Sequence, residues 1–128
     1  MDPIANMLVA LKNGGLAKKE SVVIPHSKFK LSILNLLKDE GYVKAVNLKE
    51  EESKKFIEVA LSYENGRPKI SGVIKRSLPS KRVYTGVKKI MPFKYGHGMT
   101  ILSTPKGVLS DRRAREEMVG GEVLFAIW

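Results

Sequence analysis

The run Glu64-Asn65-Gly66-Arg67-Pro68 constrains the fold of this chain more than any other feature. Asn-Gly enters left-handed backbone at little cost, and proline continues neither a helix nor a central strand, so the run forces a turn. It is too short to serve as a free linker. It divides 128 residues into two halves. Each half is small for an independent core, so two lobes sharing a seam are expected. The boundary is placed there: residues 1–64 as an N-terminal α/β lobe and 65–128 as a C-terminal β-rich lobe.

Before the turn, apolar spacing switches between helical and strand periods. Asp2 and Pro3 suit a helix start, and Ile4, Met7, Leu8 and Leu11 recur at helical spacing until Gly14-Gly15. Ser21-Val22-Val23-Ile24 reads as a strand ending at Pro25. Ser27 caps a second helix with Leu31, Leu34 and Leu37 on one face, widened by Ile33 and Leu36, and Gly41 is its stop. Residues 43–48 and 55–63 read as strands joined by the polar link 49–54. The order is α-β-α-β-β.

After the turn, residues 70–76, 82–86, 99–104 and 122–128 are strand candidates. Pro105-Lys106-Gly107 breaks the third, and Ser110 caps a short helix from Asp111 to about Met118, ended by Gly120-Gly121. The class is therefore α+β, with a second lobe of mostly antiparallel sheet and one short helix.

Charge is distributed unevenly between the halves. Residues 1–63 hold ten lysines against eight acids, whereas 64–128 hold thirteen lysines and arginines against five acids. No Asp or Glu occurs from Asn65 to Ser110, a window with ten basic residues, among them Lys81, Arg82, Lys94 and Lys106. A soluble surface ordinarily mixes both signs, so a single-sign stretch of this length points to a polyanionic partner, nucleic acid first. Cysteine is absent, which excludes disulfides and thiolate metal sites. No apolar run approaches the roughly 18 residues of a membrane helix, and Met1-Asp2-Pro3 does not open a signal peptide. A soluble, cytoplasmic chain without membrane association is expected.

Catalysis finds little footing. His26 and His97 are far apart and lack metal-ligand spacing. Glu50-Glu51-Glu52 lies in a lysine-flanked turn, and Gly96-His97-Gly98 precedes a strand rather than a helix, so it is no dinucleotide fingerprint. No cofactor, metal or enzymatic activity is expected. Lys28, Lys30 and Lys38 beside a leucine face hint at a membrane-surface helix, but Asp39, Glu40 and the flanking strands favour a core-facing one.

Ser103-Thr104-Pro105-Lys106-Gly107 is the segment suited to recognition. Its hydroxyls donate and accept, Lys106 supplies a point charge for phosphate, Gly107 admits close backbone approach, and the helix N-terminus that follows offers free N–H groups. Small polar residues suit a shallow RNA minor groove better than a DNA major groove. The competing reading is a plain hydroxyl-capped turn. Tyr84, among Lys81, Arg82 and Lys88, either stacks on a base or packs half-buried in its strand.

The same residues carry a family resemblance. Ser103-Thr104-Pro105-Lys106-Gly107-Val108-Leu109-Ser110-Asp111-Arg112-Arg113-Ala114-Arg115 and Gly120-Gly121-Glu122 resemble the closing pattern of the small ribosomal subunit protein eight family. Asp2-Pro3-Ile4-Ala5-Asn6-Met7-Leu8 resembles its opening, and Pro25-His26-Ser27-Lys28-Phe29-Lys30 with Glu40-Gly41-Tyr42 its middle. The resemblance spans the whole chain. It implies two α/β lobes and a primary binder of small-subunit ribosomal RNA, gripping an irregular stem of the central domain and supporting platform assembly. Partners implied are that RNA and neighbouring small-subunit ribosomal proteins; the chain's own messenger RNA is a further one on which the residues are silent. Contacts carry over to Ser103, Thr104, Lys106, Gly107, Tyr84, the turn Gly120-Gly121-Glu122, and Lys28 and Lys30. Glu122 is expected to accept from the Ser103 or Thr104 hydroxyl, or from RNA. Two positions depart from the pattern: Pro105 stands where the family often has Ser, and Val9-Ala10-Leu11-Lys12 where it often has arginines. A non-ribosomal structured-RNA or DNA-binding module is the rival reading.

Overall fold

The computed structural model describes residues 2–92 and 97–128, so Lys94 and Gly96 of the sequence reading lie outside the described residues. The chain divides into two compact units, Pro3–Ser71 and Asp2 with Gly72–Trp128. Both combine helix with antiparallel sheet, as α+β requires.

The first unit runs α1 (Pro3–Leu16), β1 (Ser21–Pro25), α2 (Lys28–Asp39), β2 (Val43–Glu51), β3 (Lys54–Leu61), β4 (Tyr63–Glu64) and β5 (Arg67–Pro68). Its main sheet has the order β1-β3-β2. Ile24 pairs with Ile57 and Val22 with Val59, which puts these apolar side chains on one face. Ile24, Ile57 and Val59 are buried there, together with Met7, Leu8 and Leu11 of α1 and Ile33, Leu34 and Leu37 of α2, and Val22 is half-buried beside them.

Local chemistry sets the ends of α2. The Ser27 side chain accepts from the Lys30 N–H at 3.0 Å. At the other end, Gly41 at φ +85 lets Tyr42 N–H reach the Leu37 carbonyl and its own N–H reach that of Lys38.

Three expectations need correcting in this unit. Gly14-Gly15 do not stop α1, which continues to Leu16 and closes at Lys18, φ +55. The reason is packing: a Cβ on Gly14 would lie 2.5 Å from Val22 Cγ1 and 3.0 Å from Leu61 Cδ1. Glycine is required there for contact with the sheet rather than for termination. The link 49–54 is mostly strand, and only Glu52 and Ser53, at φ +51 and +66, make the turn. Opposite charges face each other across it, Glu51 against Lys54 and Glu50 against Lys55, so polar residues support the ladder they were expected to end. The run at 64–68 is a turn, with Asn65 and Gly66 at φ +53 and +77. It closes the β4–β5 hairpin, and the division between units falls later, between Ser71 and Gly72.

The second unit holds β6 (Val73–Lys75), β7 (Tyr84–Thr85), a 3-10 turn at Val87–Lys89, β8 (Met99–Thr104), β9 (Gly107–Ser110), α3 (Asp111–Glu116) and β10 (Gly121–Ile127). Strand order is β6-β10-β8-β9, with β7 pairing the start of β10. The connection from β6 to β7 is pinned by buried Ser77, whose Oγ accepts from Val83 N–H at 2.8 Å. A bulge at Leu124 shifts the β10–β8 register between Val123 and Phe125. On the other edge of β10 the Leu124 carbonyl accepts from Arg76 N–H at 3.0 Å, carrying the β6 register one residue further. Ile90, Leu102 and Ala114 form a buried cluster on the α3 side, flanked by Val87, Leu109, Val119 and Val123.

Strand β9 was not expected. Pro105-Lys106-Gly107 does not simply break β8 but turns it back on itself, with Thr104 opposite Gly107 and Ser103 opposite Val108. The helix after it spans Asp111–Glu116, two residues short of the expected Met118, and its end is closed by Met118 at φ +57 rather than by Gly120-Gly121. Those glycines serve the sheet: a Cβ on Gly120 would lie 2.8 Å from Gly86 Cα and overlap the Thr85 carbonyl, and one on Gly121 would overlap the Ser103 carbonyl.

Backbone atoms cannot move aside as a side-chain end can, so Gly121→Ala is expected to destabilise the protein by about 2–4 kcal/mol. Denaturant unfolding of the two proteins checks this; an unchanged midpoint would show that β10 and β8 do not need that proximity.

Candidate nucleic-acid interface

Strand register gathers most of the expected site residues at one end of the second unit's sheet. Tyr84 pairs with Glu122, Glu122 with Ser103, and Ser103 with Val108, a row across four strands. Directly opposed residues share a face. The adjacent row, Val123, Leu102 and Leu109, packs toward Ala114 of α3. The Tyr84–Glu122–Ser103 row therefore looks out from the face opposite the helix. Tyr84 is 70% exposed, so the half-buried alternative does not hold.

Arg82 Nη1 donates to Glu122 Oε2 at 3.0 Å, and the Glu122 side chain is only 14% exposed. The hydrogen bond and the charge of Glu122 together raise the Arg82 pKa above its ordinary value. The guanidinium thus stays cationic wherever the fold persists. This corrects the expected partner of Glu122: it is Arg82, not a hydroxyl of the hairpin. The Thr104 hydroxyl is committed elsewhere, donating to the Gly107 carbonyl at 2.8 Å and accepting from Lys106 N–H at 3.1 Å. Its alternation with Ser103 along β8 directs it to the other face. Thr104 thereby closes the Pro105–Lys106 turn, for which proline's fixed φ is well suited. Ser103 is half-buried, and among the described residues its hydroxyl has no hydrogen-bond partner.

The helix N-terminus does not reach this turn. Strand β9 intervenes, and Ser110 pairs with Ile101, about 10 Å along the sheet. Ser110 Oγ accepts from Arg113 N–H at 3.2 Å and buried Asp111 from Arg112 N–H at 2.9 Å, so the α3 start is internally satisfied. The C-terminal end of α3 comes back instead: Lys106 Nζ donates to the Glu117 carbonyl at 3.4 Å. Gly120 and Gly121 stand at the site as close-packed backbone beneath the Glu122 side chain.

The cations are not equally available. Arg112 and Arg113 lie within 3.7 Å of Glu116, and Arg115 within 3.9 Å of Asp111. Lys75 lies 3.7 Å from Asp2 and donates to the Ser77 carbonyl. Lys69 pairs with Glu64 at 2.9 Å. Lys81, Lys88, Lys89 and Lys106 remain exposed, with Lys81 in the small β-bridge to Leu78. Lys28 and Lys30 belong to α2 of the other unit; Lys28 is exposed, but Lys30 is only 8% exposed, its stem lying along the core. The sequence signal for β9 is the short apolar pair Val108-Leu109 after a proline turn, a turn that reads equally as the break ending β8.

Among the described residues there is no cluster of metal-ligating side chains, and no helix is long and apolar enough to cross a membrane.

Comparison with known proteins covers the same span as this fold. Residues 2–128 match the family model for ribosomal protein S8. The small ribosomal subunit protein uS8 of Azoarcus sp. (strain BH72) is 46% identical over 126 residues, 98% of this chain and 96% of that protein. The protein of that name from Dechloromonas aromatica (strain RCB) is 47% identical over the same shares of each chain. That of Burkholderia lata is 46% identical over 123 residues, 96% of this chain and 94% of the relative. Matched from Asp2 to Trp128 by the family model, and nearly end to end by these relatives, the chain belongs to the ribosomal protein S8 family.

Proposed function

We propose that this protein is a structural, non-catalytic component of the cytoplasmic small ribosomal subunit that binds small-subunit ribosomal RNA directly. The observation that carries the reading is the outward row of Tyr84, Glu122 and Ser103 at the end of a basic sheet. Exposed Lys81, Lys88, Lys89 and Lys106 supply phosphate affinity. Specific fit comes from uncharged groups: Tyr84 stacks on a base or packs on a ribose, and the Ser103 hydroxyl meets a 2′-OH or base edge. Glu122, oriented by Arg82, accepts from an RNA amino group or 2′-OH. The flat sheet face suits the wide, shallow minor groove of A-form RNA. In this reading the target is an irregular stem of the central domain, and binding supports platform assembly and translation. Lys28 and Lys30 add contacts from the first unit. Neighbouring ribosomal proteins are further partners, as is the protein's own messenger if it carries a like stem.

Binding to an isolated stem of this kind is expected to weaken steeply with salt and to exceed binding to duplex DNA of equal length. Filter binding across a salt series checks both; a flat salt dependence, or equal affinity for DNA, would sink the reading.

Ser103→Ala and Tyr84→Ala are each expected to cost about 1–3 kcal/mol of RNA affinity while leaving the unfolding midpoint nearly unchanged. Thr104→Ala should lower both, because its hydroxyl closes the turn. Calorimetric titration beside thermal unfolding separates the cases. Unaltered affinity in folded Ser103→Ala and Tyr84→Ala proteins would confine this row to a structural role.

A further inference from the structure

Met118 combines two features that folding alone does not explain. Its backbone lies at φ +57, where L side chains are disfavoured. Its side chain is 77% exposed, the highest value among the exposed large hydrophobic side chains of the described residues. The other described non-glycine residues at positive φ, namely Lys18, Glu52, Ser53 and Asn65, are all polar.

The backbone conformation has a local cause. Met118 N–H donates to the Arg115 carbonyl at 3.1 Å and Val119 N–H to the Ala114 carbonyl at 3.0 Å, closing the end of α3. Glycine is the usual residue at such a closure. Methionine forgoes that relief and does not bury its thioether in return.

Its position supplies the missing reason. Lys106 reaches the Glu117 carbonyl at 3.4 Å, one residue before Met118. Gly120 and Gly121, just after it, pack against Thr85 and Gly86 on one side and Ser103 and Thr104 on the other. Met118 therefore lies at the same end of the sheet as Ser103, Lys106 and Tyr84. Lys88 and Lys89 are exposed in the 3-10 turn that packs on α3. An apolar tip at an end that also carries Lys106, Lys88 and Lys89, with the preceding Glu116 and Glu117 paired to Arg112 and Arg113, suits a polyanion with apolar faces better than an apolar protein surface.

We infer that Met118 is an RNA-contact residue, extending the interface from the β8–β9 turn across the C-terminal end of α3. Its polarizable thioether packs on the C–H face of a ribose or on an unstacked base, needing no hydrogen bond, while Lys106 holds an adjacent phosphate. This rests on the RNA-binding reading above and adds a residue to it.

Met118→Gly separates the two demands on this position. With the left-handed strain relieved, the thermal midpoint of the free protein is expected to stay level or rise. The Kd for the ribosomal RNA stem is expected to increase about three- to tenfold. In the unmutated protein, the Met118 methyl resonance, identified by its loss in Met118→Gly, should shift on addition of the stem. Unchanged affinity in Met118→Gly, or a methyl signal that does not move, overturns the inference. If Ser103→Ala still weakens binding in that case, the RNA-binding reading stands without it. If the unmutated protein does not bind the stem at all, both fall.

Discussion

The second unit depends on two backbones meeting more closely than a side chain permits. At Gly121 the chain lies against the Ser103 carbonyl, and at Gly120 against Thr85 and Gly86. This proximity lets β10 lie between β7 and β8 at its first residues. Without it, Glu122 would not stand between Tyr84 and Ser103. The glycines thus act on the surface indirectly, by fixing the spacing of their neighbours, and their chemistry toward a ligand is incidental.

Electrostatics in this unit is a matter of availability more than of total charge. The helical arginines face carboxylates three or four residues away, and Lys75 is held by Asp2 and a carbonyl. The exposed pairs of Arg112 and Arg113 contribute little to stability, but they reduce the positive potential along α3, whereas Lys75 and Asp2 are mostly buried. Positive charge persists where the acid-free stretch forms turns, at Lys81, Lys88, Lys89 and Lys106. Arg82 is a different case, because its partner Glu122 sits in the sheet row itself and gains a fixed orientation from the pair.

Much of this was legible in the residues. Helix α2 appeared with its Ser27 cap and Gly41 closure because both signals act within a few residues of where they stand. The Asn65-Gly66 turn formed for the same reason. Glycine was misread wherever its role was long-range: Gly14, Gly120 and Gly121 looked like local stops, but each answers to a strand distant in sequence. Conversely, Lys18 and Met118 close helices without the expected glycine. Strand β9 was missed because a proline turn reads identically as the end of a strand and as the bend of a hairpin. The gathering of Tyr84, Glu122 and Ser103 was invisible in principle, since it depends on register. Which hydroxyl remained uncommitted followed from face alternation, which placed Ser103 outward and turned Thr104 back to its own turn.

The bulge at Leu124 gives β10 opposite parity at its two ends. Before it, Glu122 shares the outward row with Ser103; after it, Phe125 and Ile127 occupy that same face opposite Ile101 and Met99, fully buried. A strict alternation would have sent Phe125 to the helix side. One strand can therefore carry a polar recognition row and an apolar core row on a single face. The parity therefore rests on the extra residue: were Leu124 to pair with Ile101 in regular register, Phe125 and the residues after it would change faces. By contrast, a residue added at the Glu52–Ser53 tip would only lengthen a solvent-exposed turn.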